Sequence, residues 1–176
     1  MEAYVAGDPV AFQRLFRALA PSIHAFFAAT VRHGAVADDL LQTTFLKLHR
    51  ARGSWRRGGR LRPWVFTMAA RVRTDWMRRN GREEAIDDEV LPDVEAPGDP
   101  ATAILARERS ERVRAALESL SGPQRVVVHL HRFEELSFAE IGRILDISEG
   151  AAKLRAFRAY AELRRLLADL VTENQP

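Results

Sequence analysis

The chain has no cysteine among its 176 residues. That excludes a disulfide scaffold, cysteine-ligated zinc, iron–sulfur clusters and thiol catalysis. No apolar run approaches the roughly 20 residues that a bilayer crossing needs. The N-terminus lacks the basic-then-apolar pattern of a secretory signal, so a cytoplasmic location is expected. Also missing are a Gly-x-x-x-x-Gly-Lys phosphate loop, a Gly-x-Gly-x-x-Gly turn and a Gly-x-Ser-x-Gly elbow. His129 and His131 are two apart, which on a helix puts them on different faces. With no catalytic constellation and no ligand set in view, the chain is expected to be neither an enzyme nor a holder of a metal or cofactor.

Lysine is nearly absent too. Of 27 basic residues only Lys47 and Lys153 are lysine, and the rest are arginine. A GC-rich coding sequence favours arginine, and so does recognition of phosphates and base edges by planar guanidinium groups. The distribution is more telling than the net charge of +3. Residues 47–82 carry twelve basic groups against one acid, Asp75, whereas residues 83–100 carry eight acids and no base. Such blocks imply two jobs rather than one averaged surface. The acidic block also holds Pro92, Pro97 and Pro100, which suits a linker better than a packed core. It lacks the alternating register and central glycine of a calcium loop.

What is present is helical patterning. Apolar residues are 47% of the chain, enough for a core. Asp8-Pro9 reads as a helix start, with Val10, Phe12, Leu15, Phe16 and Leu19 as the apolar face. Pro21 restarts the chain as a second helix through Ile23, Phe26, Phe27 and Val31, and Gly34 ends it. The next helix opens on Asp38 and Asp39 in its first turn, with Leu41, Phe45 and Leu48 as a stripe widened by Leu40 and Leu46. Residues 50–60 form a basic, glycine-rich loop in which Trp55 reads as an exposed ring. Pro63 opens a helix to about Arg79, with Trp64, Val65, Met68, Val72 and Trp76 on one face. An aromatic beside guanidinium groups suits bases that have left the duplex.

Beyond the acidic block, residues 104–120 form a helix through Ile104, Leu105, Val113, Ala116, Leu117 and Leu120. The Val126-Val127-Val128 run is β-branched, but Pro123 at its start and the helical surroundings favour helix. The best-defined motif follows. Phe138, Ile141 and Leu145 give a short helix its apolar face, and Gly142 is the small residue where two helices nearly touch. Leu145-Asp146-Ile147 is the corner, Ser148 caps a second helix, and that helix carries Lys153, Arg155 and Arg158. This is the helix-turn-helix plan, whose second helix enters a DNA major groove. Residues 172–176 are a tail. The expected fold is all-α: two small helical domains, 1–80 and 104–171, joined by an acidic linker, 81–103.

In this order the blocks resemble the extracytoplasmic-function group of bacterial sigma factors, in the sigma-70 family. Asp38-Asp39-Leu40-Leu41-Gln42-Thr43-Thr44-Phe45-Leu46-Lys47-Leu48 is similar to the family's polymerase-docking helix. Leu61-Arg62-Pro63-Trp64 through Asp75-Trp76-Met77-Arg78-Arg79 resembles the helix that reads and melts the −10 element. Leu117-x-x-Leu120-x-x-Pro123-Gln124-Arg125 with the helix-turn-helix resembles the −35 reader. Arg71 departs from a frequent Asn, Asp146 from the usual turn Gly, and Ala151-Ala152-Lys153-Leu154-Arg155 from the commoner Thr-Val-Lys-Ser-Arg form.

The resemblance implies a dissociable subunit that gives core RNA polymerase its promoter choice. Docking on the clamp of the largest polymerase subunit would fall to Asp38, Asp39, Leu40, Gln42, Phe45 and Leu48. Contacts to −10 DNA would come from Arg52, Trp55, Arg56, Arg57, Arg62, Trp64, Arg71, Arg73, Arg78 and Arg79. Contacts to −35 DNA would come from Ser148, Glu149, Ala152, Lys153, Arg155 and Arg158. Promoter DNA and an anti-sigma factor, often membrane-bound in this group, are the other implied partners. The rival is a stand-alone helix-turn-helix repressor or activator, which would bind an operator without polymerase, usually as a symmetric dimer. The sequence lacks a clear dimerisation helix.

Overall fold

The computed structural model describes residues 1–31, 33–80, 100–168 and 170, and for 100–106 the backbone course only. The acidic stretch Glu83–Asp99, the side chains of Ile104 and Leu105, and the tail 172–176 lie outside the described residues. Every regular element described is helical. None of these helices is long and apolar enough to cross a membrane.

A short helix α1 (Glu2–Val5), not expected from the sequence, buries Tyr4, whose hydroxyl bonds to Nδ1 of His49. Helix α2 (Ala11–Ala28) is continuous, with Pro21 inside it, where two helices were expected. Proline removes one N–H from the ladder. Leu15, Leu19, Ile23, Phe26 and Phe27, buried on both sides of that gap, hold the helix together. Asp8 sits ahead of this helix and accepts a hydrogen bond from the Val10 N–H at 2.8 Å. Val10 and Phe16, expected on the buried face, are exposed.

Helix α3 runs Gly34–Ala51, so Gly34 opens it rather than ending its predecessor. Asp38 and Asp39 therefore fall in the second turn and gain little from the helix dipole. Ala37, Leu40, Phe45 and Leu48 face the core, and the buried Thr44 hydroxyl donates to the Leu40 carbonyl at 2.8 Å. A 3₁₀ turn (Arg52–Ser54) follows, and then α4 (Leu61–Asn80), which buries Val65, Phe66, Ala69, Ala70 and Val72.

Helix α5 (Pro100–Ser119) begins before the expected Ile104, so residues 100–103 of the expected linker are helical. Helix α6 (Gly122–Val128) carries a capping box between Ser121 and Gln124, and its three valines are buried in a helix, as expected. A π-helical turn (His129–Phe133) sends His129 Nε2 to the Ser22 carbonyl at 3.1 Å and His131 Nδ1 to the Tyr160 hydroxyl at 2.8 Å. Helices α7 (Phe138–Leu145) and α8 (Glu149–Leu166) form the helix-turn-helix. Ser137 caps α7 in a box with Glu140, and Ser148 caps α8 by accepting from the Ala151 N–H at 3.1 Å. Asp146 turns the corner at φ 55°, a left-handed conformation that Asp tolerates better than most residues.

The two helical units do not stand apart. One buried cluster runs from Tyr4, Phe26, Phe45 and Phe66 in α1–α4 to Val127, Leu130, Ile141 and Ala156 in α6–α8. Helix α4 lies against α7, and α2 against the π-helical turn.

Candidate nucleic-acid interface

Helix α8 turns Ala152, Ala156 and Ala159 into the core, a stripe of small residues that lets it sit close to α6 and α7. Its outward ridge follows from the helical repeat of about 100° per residue. Leu154 and Arg158, four apart, and Phe157 are exposed on that ridge. Of the residues expected to meet −35 DNA, Ser148, Glu149, Lys153 and Arg158 are exposed. Lys153 Nζ pairs with Glu149 at 2.6 Å. Ala152, expected on the DNA side, is fully buried in the core. Arg155 is half-buried on the flank of α8 facing Arg73.

Helix α4 and the loop before it carry the second cationic surface. Arg52, Arg56, Arg57, Arg62, Arg71, Arg78 and Arg79 are exposed. Arg73 is half-buried. Burial, and then the charge of Arg155, lowers its pKa, and its Nε is buried without a hydrogen-bond partner. Trp55, expected as an exposed ring, is half-buried instead, set edge-on to Trp64 with centroids 5.1 Å apart. The cause is the glycine loop, which folds back so that Gly59 lies directly on the Trp55 ring. Trp55 Nε1 is buried with no partner. Beside the pair lies a cleft of about 560 Å³, lined by Trp55, Trp64, Arg56 and Arg60 and closed by Glu140 and Arg143 of α7.

The expected docking helix divides in two. Asp38, Asp39 and Gln42 are exposed, whereas Leu40, Phe45 and Leu48 are core. Asp38 lies 3.4 Å from His24 Nε2. The outward face is Asp39, Gln42, Thr43 and Leu46, at positions i, i+3, i+4 and i+7. Leu46, expected to widen the apolar surface beside the Leu41, Phe45 and Leu48 stripe, is exposed.

The structure also brings the two cationic surfaces onto one boundary. Arg62 pairs with Glu134, whose side chain is almost fully buried, and Arg60 pairs with Glu140. Burial alone would raise the pKa of Glu140. The Ser137 N–H and hydroxyl, with the Arg60 guanidinium, hold it below the usual carboxylate range. Arg125 ties the same boundary by donating to the Ala29 carbonyl at 3.1 Å and the Glu118 carbonyl at 2.8 Å. Neither acid was legible from sequence as a partner of these arginines.

Residues 15–83 match the family model for Sigma-70 region 2, and residues 110–163 match that for Sigma-70, region 4. The chain is 39% identical over 176 residues to the RNA polymerase sigma factor CarQ of Myxococcus xanthus, covering 98% of each. It is 34% identical over 173 residues to the ECF RNA polymerase sigma factor SigM of Mycobacterium tuberculosis, covering 98% of this chain and 85% of that one. The chain belongs to the ECF sigma factors of the sigma-70 family. Among solved structures, this sigma factor shares its fold with RpoE of Bartonella quintana, solved with the anti-sigma factor NepR. The TM-score is 0.69 at 24% identity, over 90% of this chain and 98% of that one. It also resembles CnrH, solved with the cytosolic domain of CnrY, at TM-score 0.57 and 24% identity, over 94% and 92% of the two chains. The matched regions coincide with the two cationic surfaces: α4 lies in region 2 and the helix-turn-helix in region 4.

Proposed function

We propose that this sigma factor divides promoter recognition between its two units and, when free, holds those units together through arginines of the −10 reader. The Asp39, Gln42, Thr43 and Leu46 face of α3, together with Asp38, docks on the clamp of core RNA polymerase. The exposed arginines of α4 and of residues 52–57 hold the phosphates of the −10 region. The Trp55–Trp64 cleft receives a base extruded from the opened strand, its apolar walls stacking and its arginines neutralising the backbone. Helix α8 enters the major groove at −35. An anti-sigma factor would act by keeping the two units from separating.

The observation that carries this reading is the pair of ion pairs between units. Arg62, a −10 contact, is held by Glu134, and Arg60, at the mouth of the cleft, by Glu140. Promoter DNA must replace these acids with phosphates, and polymerase docking supplies the free energy to part the units.

Run-off transcription with bacterial core polymerase tests it. The expected result is a specific start that depends on this chain, with permanganate-reactive thymines at −10 that diminish in Trp55→Ala. Failure to comigrate with core polymerase, together with tight dimeric binding to duplex DNA alone, would instead support a stand-alone helix-turn-helix regulator.

A further inference from the structure

The outward ridge of α8 is apolar where a groove-reading helix is ordinarily polar. Leu154 is 49% exposed and Phe157 is 71% exposed, and they stand three residues apart on one face. A single exposed leucine needs no explanation. Two on the same face of the helix that follows the turn, flanked in sequence by the exposed Arg158 and by Lys153, which pairs with Glu149, need one. Three residues span about 4.5 Å of helix axis, close to the spacing of about 3.4 Å between stacked bases. Neither side chain has a hydrogen-bonding group, so neither can read a donor or an acceptor. The one apolar feature that the major-groove edge offers is the C5-methyl of thymine. The exposed Arg158 beside them fits a polyanion.

Resting on the assignment of α8 to −35 DNA, we infer that Leu154 and Phe157 read thymine methyl groups on neighbouring base pairs of the −35 element. Arg158, four residues after Leu154, anchors the adjoining phosphate. Arg155, turned toward Arg73 in the free chain, is freed for the groove only when the units part. The −35 element preferred by this chain therefore contains thymines that matter through their methyl groups.

The test removes that methyl and nothing else. Promoters are recovered by holoenzyme from a library randomised at −35, then resynthesised with deoxyuridine replacing each −35 thymine in turn. Removing one well-packed methyl group should lower run-off yield about fourfold under competition. In Leu154→Ala the thymine and deoxyuridine templates should become equal at one position, and in Phe157→Ala at its neighbour. Both side chains are exposed and alanine is the better helix former, so these variants should fold. Equal use of thymine and deoxyuridine at every position by the wild-type holoenzyme, or a recovered element with no thymine requirement, overturns the inference while leaving −35 reading intact. Equal loss on both templates in Leu154→Ala also overturns it, and points to a protein contact. A scrambled −35 element without effect overturns the assignment of α8 as well.

Discussion

Gly142 shows how closely one residue can fix the helix-turn-helix. A Cβ there would stand 2.8 Å from the Ile147 carbonyl oxygen and 3.3 Å from the Glu149 nitrogen, both backbone atoms that cannot step aside. Alanine is the better helix former by about 1 kcal/mol. Gly142→Ala should nevertheless lose about 2 kcal/mol, read as a Tm drop of roughly 4–8 °C by circular dichroism. His129 makes the second residue-scale prediction. It is enclosed by Phe26, Phe66 and Phe133, with the Ser22 carbonyl at 3.1 Å and the Glu134 carboxylate at 3.5 Å. Burial outweighs the Ser22 hydrogen bond and lowers its pKa to about 4. The unfolded chain, with an ordinary imidazole, then binds more protons between pH 4 and 6.5, so stability falls as pH falls through that window. About 2 kcal/mol should be lost between pH 7 and 5. His129→Gln, which keeps a donor for the Ser22 carbonyl, should flatten the profile of urea-unfolding midpoints over that range. Glu140, held below the usual carboxylate range, adds stability that is lost as pH falls below the ordinary glutamate range, so it contributes little between pH 7 and 5.

At the scale of elements, helix phase separates the outward residues proposed to dock from the core. Leu46 and Leu48 are two apart on α3, the first exposed and the second fully buried. Leu46→Asp should leave Tm unchanged within about 2 °C and weaken core-polymerase binding by about tenfold, measured by fluorescence anisotropy. Leu48→Ala should cost 2–5 kcal/mol of stability. Much of this was legible in the sequence. The Ser148 cap, the Asp146 corner, the Gly142 contact and the helical reading of Val126–Val128 each follow from a local rule that the packing does not oppose. Other features required tertiary contacts. Pro21 reads as a break because the local rule counts one lost hydrogen bond, but not the apolar burial on both sides of it. Trp55 reads as exposed because nothing in a glycine-rich loop says where it folds. Ala152 was placed on the DNA side by motif position. The Ala152, Ala156, Ala159 spacing would have turned it inward, and would have turned Leu154 and Phe157 outward.

The whole molecule depends on a boundary between two units that each resemble a DNA reader. Glu140 illustrates why sequence alone misses it. Its role in capping α7 is visible from Ser137 three residues earlier, whereas its bond to Arg60, 80 residues away, is not. Glutamine preserves a capping box. The double variant Glu134→Gln with Glu140→Gln should therefore keep α7 folded and remove both ion pairs. Its radius of gyration by small-angle X-ray scattering should exceed that of the wild type, and its affinity for promoter DNA without polymerase should rise.

The central claim is that the arginines closing the free chain are those that meet the promoter, so closure and promoter binding exclude each other. The absence of native cysteine makes this directly measurable, because cysteines introduced at the exposed Arg17 and Arg164 can carry a fluorophore pair without background. Energy transfer should be high in the free chain and fall in a single step when core polymerase and promoter are added, in parallel with run-off activity. High transfer retained in an actively transcribing complex would contradict the claim.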